Sequence, residues 1–146
     1  MKGQGMGLTL EQARTIIAVA RAKGREAGMK PLSVIVVDAG GQVLAFERED
    51  GAPVGRFAIA EGKAYGAVMF GAPSRAIGTM AETRPAFVAS LGGLYGGKVV
   101  PAAGGVLLRD ASGAIVGAVG VTGDTSDNDA LAGIAGAEAA GLTGEG

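Results

Sequence analysis

The chain has 146 residues, 28 of them glycine, with 13 basic against 14 acidic side chains and a net charge of −1. That length suits one domain and leaves no room for a second core of ordinary size. Glycine stands far above its usual level of about 7%, yet no G-x-y period occurs and 48% of the residues are hydrophobic, which excludes a collagen-like fibre and a disordered chain alike.

Residues 1–8 are read as a flexible glycine-rich segment ahead of a single domain over residues 9–141. Thr9-Leu10-Glu11-Gln12 has the pattern of a capping box, in which hydroxyl and amide satisfy orphan N–H groups reciprocally. Ala13, Ile16, Ile17, Ala20 and Ala27 follow at helical spacing, and Gly28 can stop that helix. Leu32–Val37 is a β-branched apolar run, so a strand is expected. Asp38-Ala39-Gly40-Gly41 is a turn, and Gln42–Arg48 is the returning strand of a hairpin.

Pro53 stands where a helix can start, and Val54–Phe70 carries helical periodicity. A short helical stretch is expected from Pro73 to Met80, one further turn over Arg84–Ser90, and a long glycine-rich loop over residues 92–105. A second hairpin pairs Val106–Arg109 with Ala114–Val121 across Asp110-Ala111-Ser112-Gly113. Thr125 or Ser126 caps a last helix running to about Ala140, and residues 142–146 are read as a flexible tail. The order α-β-β-α-(α)-β-β-α predicts an α+β fold, an antiparallel sheet from two hairpins covered by helices on one face. A bare opposite face would leave much apolar surface exposed, so self-association as a homo-oligomer is expected. The two hairpins match each other in sequence at their Asp-x-x-Gly turns, which either reflects an internal repeat or simply the chemistry of tight turns.

Cysteine and histidine are both absent. This removes a disulfide framework, a thiolate nucleophile, a Cys/His zinc site, a Ser-His-Asp triad and bis-histidine haem. Aromatics are only 4% and no basic stripe is present, so nucleic acid is not an expected partner. No apolar run approaches the roughly 20 residues of a membrane helix, and the start of the chain lacks the apolar stretch of a signal peptide; the expected location is the cytoplasm, without membrane attachment.

Candidate chemistry gathers on the helix Val54–Phe70. Glu61 lies on a face with Phe57, Ala64, Tyr65 and Val68, and Lys63 on an adjacent stripe of small residues that leaves space for an anion. Arg75, at the start of a helical stretch, can hold a carboxylate or phosphate together with free N–H groups; its plainer reading is a surface arginine. Tyr95 and Lys98 supply the aromatic and cationic groups of the loop 92–105. At the turn Gly120–Ser126 and the helix start after it, the carboxylates Asp124, Asp127 and Asp129 are read as helix-capping groups, and no metal site is assigned, since EF-hand spacing is missing.

Several blocks together resemble one family. Val36-Val37-Asp38-Ala39-Gly40-Gly41, Asp50-Gly51-Ala52-Pro53-Val54-Gly55, Lys63-Ala64, Pro73-Ser74-Arg75, Gly104-Gly105-Val106 and Val116–Gly123 are similar, in the same order, to the GlcG/HbpS-like family, also called the haem-degrading or DUF336 domain. The resemblance spans about residues 9–140. It implies a small profilin-like α+β domain that assembles into dimers and larger oligomers, up to octamers. It also implies small-molecule binding: some members bind haem, and others belong to catabolic pathways for small acids or diols. Many relatives carry histidine after the Asp-Ala-Gly-Gly turn, where this chain has Gln42. Haem, as candidate cofactor, would then take its axial ligand from Tyr65, Tyr95, a methionine or a hydroxyl such as Thr122.

Two functions are therefore carried forward. In the first the chain binds a small molecule, haem or another flat and anionic ligand, between subunits through Lys63, Tyr65, Arg75, Tyr95, Lys98 and Thr122. In the second it is a cofactor-free enzyme on a small carboxylic acid, with Arg75 and Lys63 holding the carboxylate and Glu61 or Tyr95 moving a proton.

Overall fold

A computed structural model describes residues 7–146. The elements run α1 (Leu10–Glu26), β1 (Ser33–Asp38), β2 (Val43–Arg48), α2 (Arg56–Phe70), α3 (Ser74–Thr83), α4 (Pro85–Leu94), β3 (Gly105–Arg109), β4 (Ile115–Thr122), α5 (Ser126–Ala139) and β5 (Thr143–Glu145). The strands form one antiparallel sheet in the order β2-β1-β4-β3-β5. The expected α+β fold from two helix-covered hairpins is thus observed, with the two hairpins joined through β1 and β4.

Local sequence explains several element ends. The capping box is present: Thr9 Oγ1 accepts from the Gln12 N–H at 3.1 Å, and Gln12 Oε1 accepts from the Thr9 N–H at 3.1 Å. Both hairpin turns are tied by an aspartate. Asp38 Oδ1 accepts from the N–H groups of Gly40 and Gln42, and Asp110 Oδ1 from those of Ser112 and Ala114. This shared side-chain-to-backbone bonding is the physical content of the match between the hairpins.

Helices cover both faces of the sheet, not one. Val34, Val36, Val119 and Val121 pack with Ile16 and Ile17 of α1 and Ala132 and Ala137 of α5. On the opposite face Ile35, Val37, Leu107 and Ala118 pack with Ala60, Ala64 and Ala67 of α2. The reason is legible in β1: an unbroken apolar run sends side chains alternately to both faces, so both need cover. The bare face from which self-association was argued is therefore absent among the described residues.

Three other expectations are corrected. The helix over Arg84–Ser90 does not stop after one turn but continues as α4 to Leu94, so the loop shrinks to residues 95–104. Residues 142–146 are not a frayed tail, because β5 pairs with β3 and places Gly144 and Gly146 against Val106 and Ile134. Leu8, assigned to the flexible start, is buried in the α1 core; residues 1–6 of that segment lie outside the described residues.

Small residues set the distance between α2 and the sheet. A Cβ on Gly120 would collide with the Ala60 carbonyl, and one on Gly105 with the Lys63 carbonyl. Glycine at these two strand positions lets the α2 backbone lie directly on β3 and β4. Ser74 fastens α3 to the same strand edge, its Oγ accepting from the Gly105 N–H at 2.7 Å.

Candidate functional site

The residues singled out from sequence fall into two clusters around α2. The first lies between α2, the end of β4 and the start of α5. Lys63 projects from the sheet-facing side of α2 and is buried. Its Nζ donates to the Val121 carbonyl at 2.9 Å and to Asp129 Oδ2 at 3.3 Å. Burial pushes the Lys63 ammonium down and the Asp129 carboxyl up, each opposed by the charge of the other. The space read as open to an anion beside Lys63 is filled by Asp129.

Asp129 is therefore more than a helix cap. Its other oxygen accepts from the Asp124 N–H at 3.0 Å, which fixes the turn into α5, while Thr125 takes the cap position by accepting from the Asn128 N–H. Arg75 reaches the same helix start, where its Nη1 lies 2.8 Å from Asp127 Oδ1. Both cations assigned to a ligand carboxylate thus already meet a carboxylate of the first turn of α5. The Arg75 pair is largely exposed and holds only weakly. Thr122 is buried at the end of β4, its Oγ1 accepting from Arg56 Nη1 at 3.0 Å. Arg56 was not singled out from the sequence; its place one residue into a helix start was the available signal.

The second cluster lies along α2 where the loop 95–104 crosses it. Gly62 and Gly66 let that loop approach, with Val100 against Gly62 and the Lys98 carbonyl and Val99 against Gly66. The crossing places Lys98 Nζ 4.8 Å from the centre of the Tyr65 ring and 3.9 Å from Glu61 Oε2. Glu61 is only 16% exposed in its side chain and Lys98 44%. The cluster thus presents a phenol, a carboxylate and a partly exposed cation on one side of the helix. Tyr95 caps α4 and stands three residues before Lys98, its carbonyl accepting from the Lys98 N–H at 3.2 Å. Beside it Leu94 is 73% exposed.

The two cavities described are elsewhere. One of about 570 Å³ is lined by Leu10, Glu11, Arg14, Thr15, Ala18 and Glu47, and one of about 210 Å³ by Arg21, Arg25, Pro31, Glu49 and Asp50. Neither includes a residue assigned from the sequence to ligand binding or catalysis. Among the described residues no group of three or more Asp or Glu side chains is arranged to hold a metal ion. No helix is long and apolar enough to cross a membrane.

A five-stranded antiparallel sheet clasped by α1 and α5 on one face and α2 on the other, with polar side chains gathered along α2, defines a small α+β domain found in several solved structures. The chain is similar to PduOC in its complex with haem (21% identity, TM-score 0.84, 97% of this chain and 100% of that one) and to Klebsiella pneumoniae protein ORFY, assigned to DUF336 (26% identity, TM-score 0.82, 96% and 95%). It is also similar to HbpS (32% identity, TM-score 0.79, 92% and 91%). A comparison with the curated proteins finds no match.

The chain belongs to the HbpS-like family of haem-degrading proteins, whose model matches residues 8–138. The resemblance read from the turn, cap and strand blocks is thereby established.

Proposed function

We propose that this chain is a small-molecule-binding protein that takes a flat, anionic ligand of the haem class along α2, at Tyr65 and Lys98, with Tyr95 and Glu61 at the margin. The observation that carries the reading is the convergence of Tyr65, Glu61 and Lys98 where the loop 95–104 crosses α2. The family description and the similarity to a haem complex support the ligand class.

The donor set fits haem, but not through histidine or cysteine, of which the chain has none. A tyrosine phenolate is an established ligand of haem iron, and Tyr65 would hold the iron while Lys98 pairs with a propionate carboxylate. When bound, haem would supply a Lewis-acidic, redox-active iron; the chain's own part is to orient the ring and neutralise its acid groups. A second copy of the chain closing over Tyr65, Tyr95 and the exposed Leu94 would enclose the cluster in a pocket, which makes a homo-oligomer the binding form.

Titration of the purified chain with haemin tests the reading. A saturating Soret band is expected, altered in position by Tyr65→Phe and weakened in affinity by Lys98→Ala. A featureless titration, or spectra unchanged in both variants, overturns it. The enzyme alternative draws no support from the geometry in its stated form, because Lys63 is fully engaged with Asp129 and Val121.

A further inference from the structure

A polar row lies beneath the start of α2, about 13 Å along the helix from Tyr65 at 1.5 Å per residue. Ser33 on β1 pairs in register with Arg48 on β2 and with Thr122 on β4. Directly opposed residues of antiparallel strands project from the same face, so Arg48, Ser33 and Thr122 form one row across three strands. That face is the one α2 covers, since Ile35 and Phe46, next along the same strands, pack against it.

Three features of the row point to a missing ligand. The Ser33 hydroxyl is fully buried and is the one buried side-chain polar atom without a hydrogen-bond partner among the described residues. Native proteins rarely leave such a group unpaired. Two guanidinium groups stand at the row, Arg48 within it and Arg56 above it: Arg56 Nη1 donates to Thr122 Oγ1, and Arg48 Nη1 to the Ala52 carbonyl at 3.1 Å. Neither is among the ion pairs formed by the described residues. Finally, α2 begins with no side-chain cap and no acidic residue in its first turn; the Arg56 N–H meets the Pro53 carbonyl at 3.4 Å, and the positive end of the helix carries no side-chain anion of its own.

We infer that Arg48, Ser33, Thr122 and Arg56, with the N-terminus of α2, bind a small oxyanion group, a carboxylate or a phosphate. The planar fork of Arg56 presents paired donors that match two oxygens of such a group. Arg48 and the helix start add positive potential, and an oxygen held over the row gives Ser33 the acceptor it lacks. Lys63 contributes little, because Asp129 already balances it. The site stands apart from the Tyr65–Lys98 cluster and is independent of haem binding.

The test is a titration of the whole chain at pH 7 and constant ionic strength, with sodium acetate in one arm and inorganic phosphate in the other. Backbone amide shifts of residues 33, 55–58 and 122 are followed by NMR. Saturable shifts at these residues with either anion are expected, and the arm that saturates identifies the group. Arg56→Gln should weaken binding at least tenfold. Ser33→Ala removes a hydroxyl with no internal partner, so it should fold as well as the parent yet lose affinity at least threefold. Non-saturating shifts in both arms, or parental affinity in Ser33→Ala and Arg56→Gln, overturn the site.

Discussion

Lys63 Nζ lies 3.3 Å from Asp129 Oδ2, and the two side chains are 4% and 2% exposed although 66 positions separate them in the sequence. The pair ties the middle of α2 to the first turn of α5 through the end of β4. It explains why a lysine is tolerated on the most buried side of a helix otherwise faced with alanine and glycine.

Breaking that pair from one side should be costly. Lys63→Met strands the Asp129 carboxylate and is expected to lower stability by about 3–5 kcal/mol, whereas Lys63→Met combined with Asp129→Leu should recover most of the loss. Urea denaturation of the two single variants and the double variant measures the coupling. Simple additivity of the two single losses would show that the charges do not interact.

Acid sensitivity should be carried in part by Asp124. The Lys30 backbone N–H, with the Asn128 side chain, holds its carboxyl down to about 2, below the ordinary aspartate value of about 3.9. A folded-state value below the unfolded one stabilises above the unfolded value and is lost as pH falls through the folded one. Stability is therefore expected to decline between about pH 4 and pH 2. Asp124→Asn should flatten that part of the curve of urea midpoint against pH, leaving it unchanged above pH 5 in slope.

Glycines of one chain should respond oppositely to the same substitution. Gly120→Ala drives a Cβ into the Ala60 carbonyl, and an overpacked core position of this kind costs about 1–3 kcal/mol or more. Gly92 and Gly93 lie within α4 with nothing near their would-be Cβ atoms. Gly92→Ala or Gly93→Ala should raise stability by about 0.5–1 kcal/mol. Thermal melts of the three variants decide both signs.

Removing residues 143–146 should destabilise the domain although they lie at its very end. The deletion exposes Val106 and Ile134 and leaves the β3 edge unpaired. A loss of about 1–3 kcal/mol is expected from ladder hydrogen bonds and apolar contact together. Faster amide exchange at Leu107 and Arg109 in the truncated chain would accompany it; unchanged exchange there would mean that β5 contributes nothing.

Features that depend on neighbours a few residues away are legible along the chain. Thr9 and Gln12 cap α1, Asp38 and Asp110 bind the N–H groups of their own turns, and Gly71 ends α2 in a left-handed conformation with φ 76° before Pro73. Alternation and periodicity then separated strands from helices, and the ordered blocks marked the family. Which charges meet follows from the packing of distant segments. Lys63 could be placed on a helix stripe, but its partner Asp129 depends on how α5 packs beside β4. The row Arg48–Ser33–Thr122 exists only through the register of three strands, and β5 forms only because the β3 edge offers unpaired backbone. The pairings of β1 with β4 and of β3 with β5, and the burial that gives an ion pair its strength, are properties of segments distant in sequence, so no local pattern carries them.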